Sequence, residues 1–133
     1  MNLIPESHQE LLKDDIKAFL FLATLMPNGT PQVTPVWFNT DDTYILINTA
    51  EGRLKDRNMR ARPDVTLCIA DPANPYRYIQ IRGKVVDYQS EGADDHIDAL
   101  SFKYLGIPKY HYREAGEKRV IYKIKPLKVD AHG

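Results

Sequence analysis

Residues Thr30 to Phe38 alternate with a period of two: Gln32, Thr34, Val36 and Phe38 fall on one side, Val33, Pro35 and Trp37 on the other. A pleated strand puts successive side chains on opposite faces in this way, and no helix does. Proline has no amide hydrogen to give a ladder, so Pro35 places the strand at a sheet edge or at a bulge. Runs of similar kind recur along the chain. Ala18 to Leu25 is a near-continuous apolar run that enters a hairpin at Met26-Pro27-Asn28-Gly29 and is expected to pair with Thr30 to Phe38. Tyr44 to Thr49 follows the turn Asn39-Thr40-Asp41-Asp42. Val65 to Ala70, Tyr76 to Tyr88 and Arg119 to Ile124 complete six strands, with Gly83 at a bulge or bend and Lys125-Pro126 closing the last one. A short amphipathic helix is predicted from Pro5 to Lys13. A long one is predicted from Ser90 to Leu105, stopped by Gly106 and Pro108. Strands adjacent in sequence with helices at the periphery predict a mainly β fold, an antiparallel barrel.

Between the third and fourth strands lies a cationic segment. Glu51-Gly52 opens a helical stretch to Arg62 that carries Arg53, Lys55, Arg57, Arg60 and Arg62. Free N–H groups at a helix start, the positive end of its dipole and nearby Arg and Lys make a site for phosphate or another anion. Arg53, Arg57 and Arg60 also share one helical stripe, which a solvated face would show equally well. No Walker or dinucleotide glycine pattern decides between these readings.

Other chemistries find little support. His8, His96, His111 and His132 are scattered without paired spacing or a cysteine partner, so no metal site is expected. Ser7, Ser90 and Ser101 sit in no nucleophile elbow. The pairs Asp14-Asp15, Asp41-Asp42 and Asp94-Asp95 fall in turns or helix starts, where capping explains them. The formal net charge is zero, which argues against nucleic acid or an anionic membrane as partner. A nucleic-acid-binding barrel would need exposed aromatics on a basic face. The lone Cys68 permits no intrachain disulfide and is expected as a buried, inert thiol, which fits a cytoplasmic location. No apolar run is long enough to span a membrane, and the first residues lack a secretory pattern. At 133 residues the chain, 1–133, is read as one domain.

The order GTPQVTPVWF, INTAEGRLKDRN and RPDVTLCIADPANPYRYIQIRG, followed by KYLGIPKY and RVIYKIKPLKV, resembles the pyridoxamine 5'-phosphate oxidase-like split-barrel superfamily from Pro5 to Val129. Within it, the chain is most similar to the flavin and deazaflavin oxidoreductases of the coenzyme F420-dependent branch. The resemblance implies a six-stranded antiparallel split β-barrel of the FMN-binding type. It implies an oxidoreductase that transfers a hydride between a flavin-type cofactor and a small unsaturated or conjugated organic molecule. Such chemistry needs a positioned ring rather than a protein nucleophile, so no catalytic side chain is named. By the same resemblance, Thr34, Pro35, Val36 and Trp37 lie along the cofactor ring, Thr49, Arg53 and Lys55 hold its phosphate, and Asn58 supports the turn. Tyr78 either approaches the flavin or is a packed strand tyrosine. Coenzyme F420 is preferred over FMN because its anionic tail would suit Arg57, Arg60 and Arg62. The family's usual homodimer, with the cofactor at the subunit interface, makes Tyr104 to Arg113 candidates for the partner's side of the pocket. The alternatives are an FMN-dependent flavoprotein and a non-catalytic flavin or tetrapyrrole binder.

Overall fold

The computed structural model describes residues 1–133. It holds one seven-stranded antiparallel sheet: β1 (Leu20–Leu25), β2 (Pro31–Val36), β3 (Phe38–Thr40), β4 (Ile45–Ala50), β5 (Asp64–Asp71), β6 (Asn74–Gln89) and β7 (Arg119–His132). A 3₁₀ helix spans Glu6–Leu12, α1 spans Leu54–Ala61 and α2 spans Ala93–Leu105. Strand order is β2-β1-β5-β6-β7-β4-β3. The two outermost strands of that order, β2 and β3, are consecutive in the chain and separated only by Trp37, so the sheet curls until its edges meet at that residue.

This is why there are seven strands rather than the six expected. Up to Val36 the chain pairs with β1 (Val36 opposite Leu20), and from Phe38 it pairs with β4 (Phe38 opposite Ile47). A single straight strand from Thr30 to Phe38 could not serve both ladders. Pro35 lies in edge strand β2, where its missing N–H leaves no ladder broken.

Inward positions of every strand meet in one core. Leu20, Leu22, Phe38, Ile45, Ile47, Leu67, Ile69, Ile79, Ile81, Tyr122 and Ile124 are all 1% exposed or less, and burying each aliphatic side chain stabilises the fold by about 1.5–3 kcal/mol. Met59 of α1 joins this cluster, whereas Ile97, Leu100 and Tyr104 of α2 form a second cluster with Trp37 and Tyr110. Cys68 departs from expectation. It lies on the outward side of β5, between the inward Leu67 and Ile69, and is only half-buried; that burial raises its thiol pKa and keeps it from ionising readily.

Gly83 is at a bulge, as its sequence position suggested: the β6–β7 register shifts between Arg82 and Gly83. A Cβ on Gly83 would stand 2.9 Å from both Ile124 Cγ2 and the Lys125 carbonyl oxygen. Pro126 pairs opposite Gly83 and does not end β7, which continues to His132. The irregular register absorbs the absent proline N–H.

Helix boundaries also moved inward. Glu51 and Gly52 form a turn, with Gly52 at φ 92°, and α1 begins after Arg53. Gly92 (φ 77°) similarly delays α2 to Ala93, while Gly106 (φ 70°) ends it in the left-handed conformation that glycine adopts without strain. The N-terminal helix is of the tighter 3₁₀ kind. No helix is long and apolar enough to cross a membrane.

Candidate cofactor site

A cavity of about 350 Å³ opens beside the Trp37 seam. Phe19, Pro35, Val36 and Trp37 form one wall, Ile97, Tyr110 and Tyr112 another, and Asn48, Thr49, Arg53, Lys55 and Arg119 supply its polar part. The aromatic wall is ordered by stacking. Trp37 lies parallel to Tyr104 at 5.4 Å and 7°, and Tyr104 stacks on Phe19 at 5.3 Å. Tyr110 meets Trp37 edge-on at 6.0 Å and Tyr112 at 5.8 Å. Aromatic pairs at these separations add about 0.5–1.5 kcal/mol each beyond their burial.

Polar contacts behind the wall fix its rings. The Tyr104 hydroxyl donates to the Ala18 carbonyl (2.6 Å) and accepts from the Phe38 N–H (3.4 Å). Burial pushes its phenol above the ordinary tyrosine range, so Tyr104 is a strut rather than a proton source. The Tyr110 N–H donates to Asp98 Oδ1 (2.8 Å), and Arg113 bridges Asp98 (2.8 Å) and Asp94 (2.7 Å). These bonds hold the loop after α2 against its own helix, with Tyr110 and Tyr112 facing the cavity.

The polar end is electropositive. Arg53, Lys55 and Arg119 converge there with one buried carboxylate, Glu117, which lies 3.0 Å from Arg119 and 3.8 Å from Arg53. Lys55 is half-buried, and burial first, then the charges of Arg53 and Arg119, lower its pKa below the usual lysine value. An incoming anion would relieve both effects. No side chain caps the first turn of α1, so its N–H groups add to the same field. The buried Thr49 hydroxyl has no hydrogen-bond partner within the protein; such an oxygen costs stability unless a ligand or water meets it. A cavity with planar aromatic walls, a cationic end and an unclaimed hydroxyl matches the donor set that a phosphorylated, flat-ringed cofactor requires.

The residues expected from sequence divide accordingly. Pro35, Val36, Trp37, Thr49, Arg53 and Lys55 line the cavity together. Thr34 is adjacent in β2; it does not line the cavity, but its hydroxyl, too, is buried without a partner. Asn58 is buried elsewhere: its amide donates to Thr24 Oγ1 (3.1 Å) and accepts from Arg62 (3.2 Å), tying α1 to β1. Tyr78 lies outside this cavity, stacked on His132 at 4.9 Å and bordering a separate depression of about 330 Å³ with Phe21, Val33 and Cys68. Two of the extra cations are already engaged. Arg60 is bonded to Asp56 (2.9 Å) and stacked over Tyr88 (4.5 Å), and Arg62 donates to the Leu25 carbonyl (2.7 Å). Of the span Tyr104 to Arg113, expected on the partner's side, Tyr110 and Tyr112 line the cavity of their own chain.

Sequence reading missed Asn48, Arg119, Ile97 and Phe19. Arg119 is opposite Ala50 in the β4–β7 ladder, and that pairing is what carries it from far along the chain to the start of α1.

A curled antiparallel sheet with a cation-ended, aromatic-walled cavity at its seam defines a split-barrel protein. The pyridoxamine 5'-phosphate oxidase family model matches residues 4–133, and the chain belongs to that family. A solved structure described as an F420 reductase is 32% identical, with 96% of this chain and 98% of that one covered and a TM-score of 0.83. A conserved hypothetical protein from Mycobacterium tuberculosis (20% identity, 97% and 84% covered, TM-score 0.73) and HupZ from Group A Streptococcus (18%, 96% and 93%, 0.65) share the fold.

Proposed function

We propose that the whole chain serves as one cofactor-binding unit of an oxidoreductase, which transfers a hydride between a flavin-type cofactor and a small unsaturated or conjugated organic substrate. The observation that carries this reading is that Thr49, whose hydroxyl has no partner in the protein, lines one cavity with Arg53, Lys55, Trp37 and Tyr110. When bound, such a cofactor supplies the hydride-carrying ring. The chain's own part is to bind and orient it. Thr49, Arg53 and Lys55 hold the phosphate, the Pro35 to Trp37 backbone and the tryptophan ring flank the planar portion, and Tyr112 borders the open side where substrate enters. Tyr104 is sealed by its hydrogen bonds, so the proton that accompanies the hydride comes from solvent or from Tyr110 or Tyr112.

Coenzyme F420 is the preferred cofactor, supported by similarity to an F420 reductase over almost the full length of both chains. The expected fit of its anionic tail to Arg60 and Arg62 gives no such support, because those side chains are committed elsewhere. FMN is the second reading, favoured by the same phosphate donors. The functional form is a homodimer in the cytoplasm. Phe19, Phe21 and Val33 are 46%, 42% and 64% exposed along β1, β2 and the approach to them, and a second copy covering these residues would also close the cavity's open side.

Calorimetric titration of the apo protein with F420 and with FMN tests the assignment. One equivalent of F420 per chain with weaker FMN binding is expected. Stoichiometric FMN binding without measurable F420 affinity would transfer the activity to the flavoprotein reading, and binding of neither would end both.

A further inference from the structure

Arg119 is 5% exposed, yet it borders the cavity. Its Nε–H donates to Asn48 Oδ1 (2.8 Å) and its Nη1 to Glu117 Oε1 (3.0 Å). Nη2 makes no hydrogen bond with the protein. The guanidinium also lies over the Tyr110 ring at 5.2 Å. Two of its nitrogens are thus spent on fixing the group, and the third is left free on a side chain that lines the cavity with Arg53 and Lys55.

What fixes Asn48 extends further. Its Nδ2 donates to the Ala93 carbonyl (2.9 Å), which sets the amide orientation, and it also reaches His96 Nδ1 at 3.1 Å. That nitrogen must accept, so the proton of neutral His96 sits on Nε2 and is donated to Asn39 Oδ1 (2.8 Å). Every bond in the string runs the same way: Arg119 to Asn48, Asn48 to His96, His96 to Asn39. The string links β7, β4, α2 and β3. No other acid or base touches the imidazole, and burial, then the Arg119 charge, lowers its pKa to about 4, keeping it neutral across the physiological range.

We propose that Arg119 is a third anion-binding group of this cavity, and that Asn48 and His96 are positioning residues which aim its free Nη2 edge at the ligand. The inference rests on the cofactor reading and adds a requirement to it: anion affinity depends on the planar fork of Arg119 and on a hydrogen-bond string that leads from Asn48 away from the cavity to His96 and Asn39. An ammonium carries its three donors on a single nitrogen and lacks the spread by which the guanidinium reaches Asn48 from Nε and Glu117 from Nη1 while Nη2 stays available to the ligand.

The test uses the full-length apo protein with inorganic phosphate as probe, measuring affinity by calorimetry in every variant and following the Arg119 Nε–H resonance by NMR wherever Arg119 is retained. In the parent, phosphate should shift that resonance, and its exchange with solvent should be slow. Arg119→Lys should weaken phosphate binding about tenfold. His96→Leu should weaken it about five- to tenfold and speed Nε–H exchange, whereas His96→Gln, whose amide can accept from Asn48 and donate to Asn39, should restore both. If Arg119→Lys and His96→Leu bind phosphate like the parent while Lys55→Ala does not, the cofactor reading stands and this inference falls. Should His96→Leu fail to fold, unchanged affinity in Arg119→Lys is by itself enough to overturn it. Failure of the parent to bind phosphate, F420 or FMN would remove both.

Discussion

Two ionisable residues in the first turn of α1 carry opposite energetic signs. Lys55 has a lowered pKa in the folded protein, chiefly through burial and then through Arg53 and Arg119. The unfolded chain therefore holds that proton more firmly, so the charge costs stability at neutral pH, and the cost fades as pH rises through the lowered value toward the ordinary 10.5. Lys55→Met should leave the apo melting temperature unchanged or slightly raised while F420 or FMN affinity falls about ten- to a hundredfold; calorimetry and a thermal melt decide it together. A large drop in melting temperature would mean that Lys55 is structural. Asp56 behaves in reverse. Burial alone would raise its pKa, but hydrogen bonds from the Tyr122 hydroxyl, the Gly52 N–H and Arg60 outweigh it and hold the carboxyl below 3.8. Its stabilisation is complete above that value and is lost as pH falls through the lowered one. Asp56→Asn should cost about 1.5–3 kcal/mol in urea unfolding at pH 7, and the difference from the parent should shrink in strong acid.

At the scale of elements, the β6–β7 ladder depends on the close approach at Gly83. Gly83→Ala sets a methyl 2.9 Å from Ile124 Cγ2 and the Lys125 carbonyl, and should cost about 1–3 kcal/mol by forcing the two strands apart. Chemical denaturation of the variant checks this, with parental stability as the contrary result. Asn58→Ala separates α1 from β1, leaves Thr24 and Arg62 without their amide partner, and should lower stability by about 1–3 kcal/mol. Protein that remains folded should keep most of its cofactor affinity, since the side chain does not reach the cavity. Periodicity and turn chemistry made most of these elements legible in the sequence: the edge position of Pro35, the bulge at Gly83 and the Gly106 helix stop are local consequences of residue type. Pro126 inside β7 and the division of one strand at Trp37 were not legible, because each depends on what stands across the ladder. The site was legible in the same proportion. Asn48, Thr49, Arg53 and Lys55 are near neighbours in sequence, while Arg119 joins them only through long-range pairing.

For the molecule as a whole, one side of the cavity stays open in a single chain, bordered by exposed Phe19 and Tyr112. Light scattering at micromolar concentration should therefore give twice the chain mass, with cofactor affinity declining on dilution into monomer. A monomer that binds cofactor tightly would show the pocket to be complete without a partner. The seam at which the two sheet edges meet has an optical consequence. Trp37 is the sole tryptophan in the chain, and it forms a wall of the cavity. The protein thus carries an intrinsic fluorophore in the wall of the cavity. A chromophore seated there that absorbs where tryptophan emits would quench this emission by energy transfer, so occupancy could be read in real time from unlabelled protein.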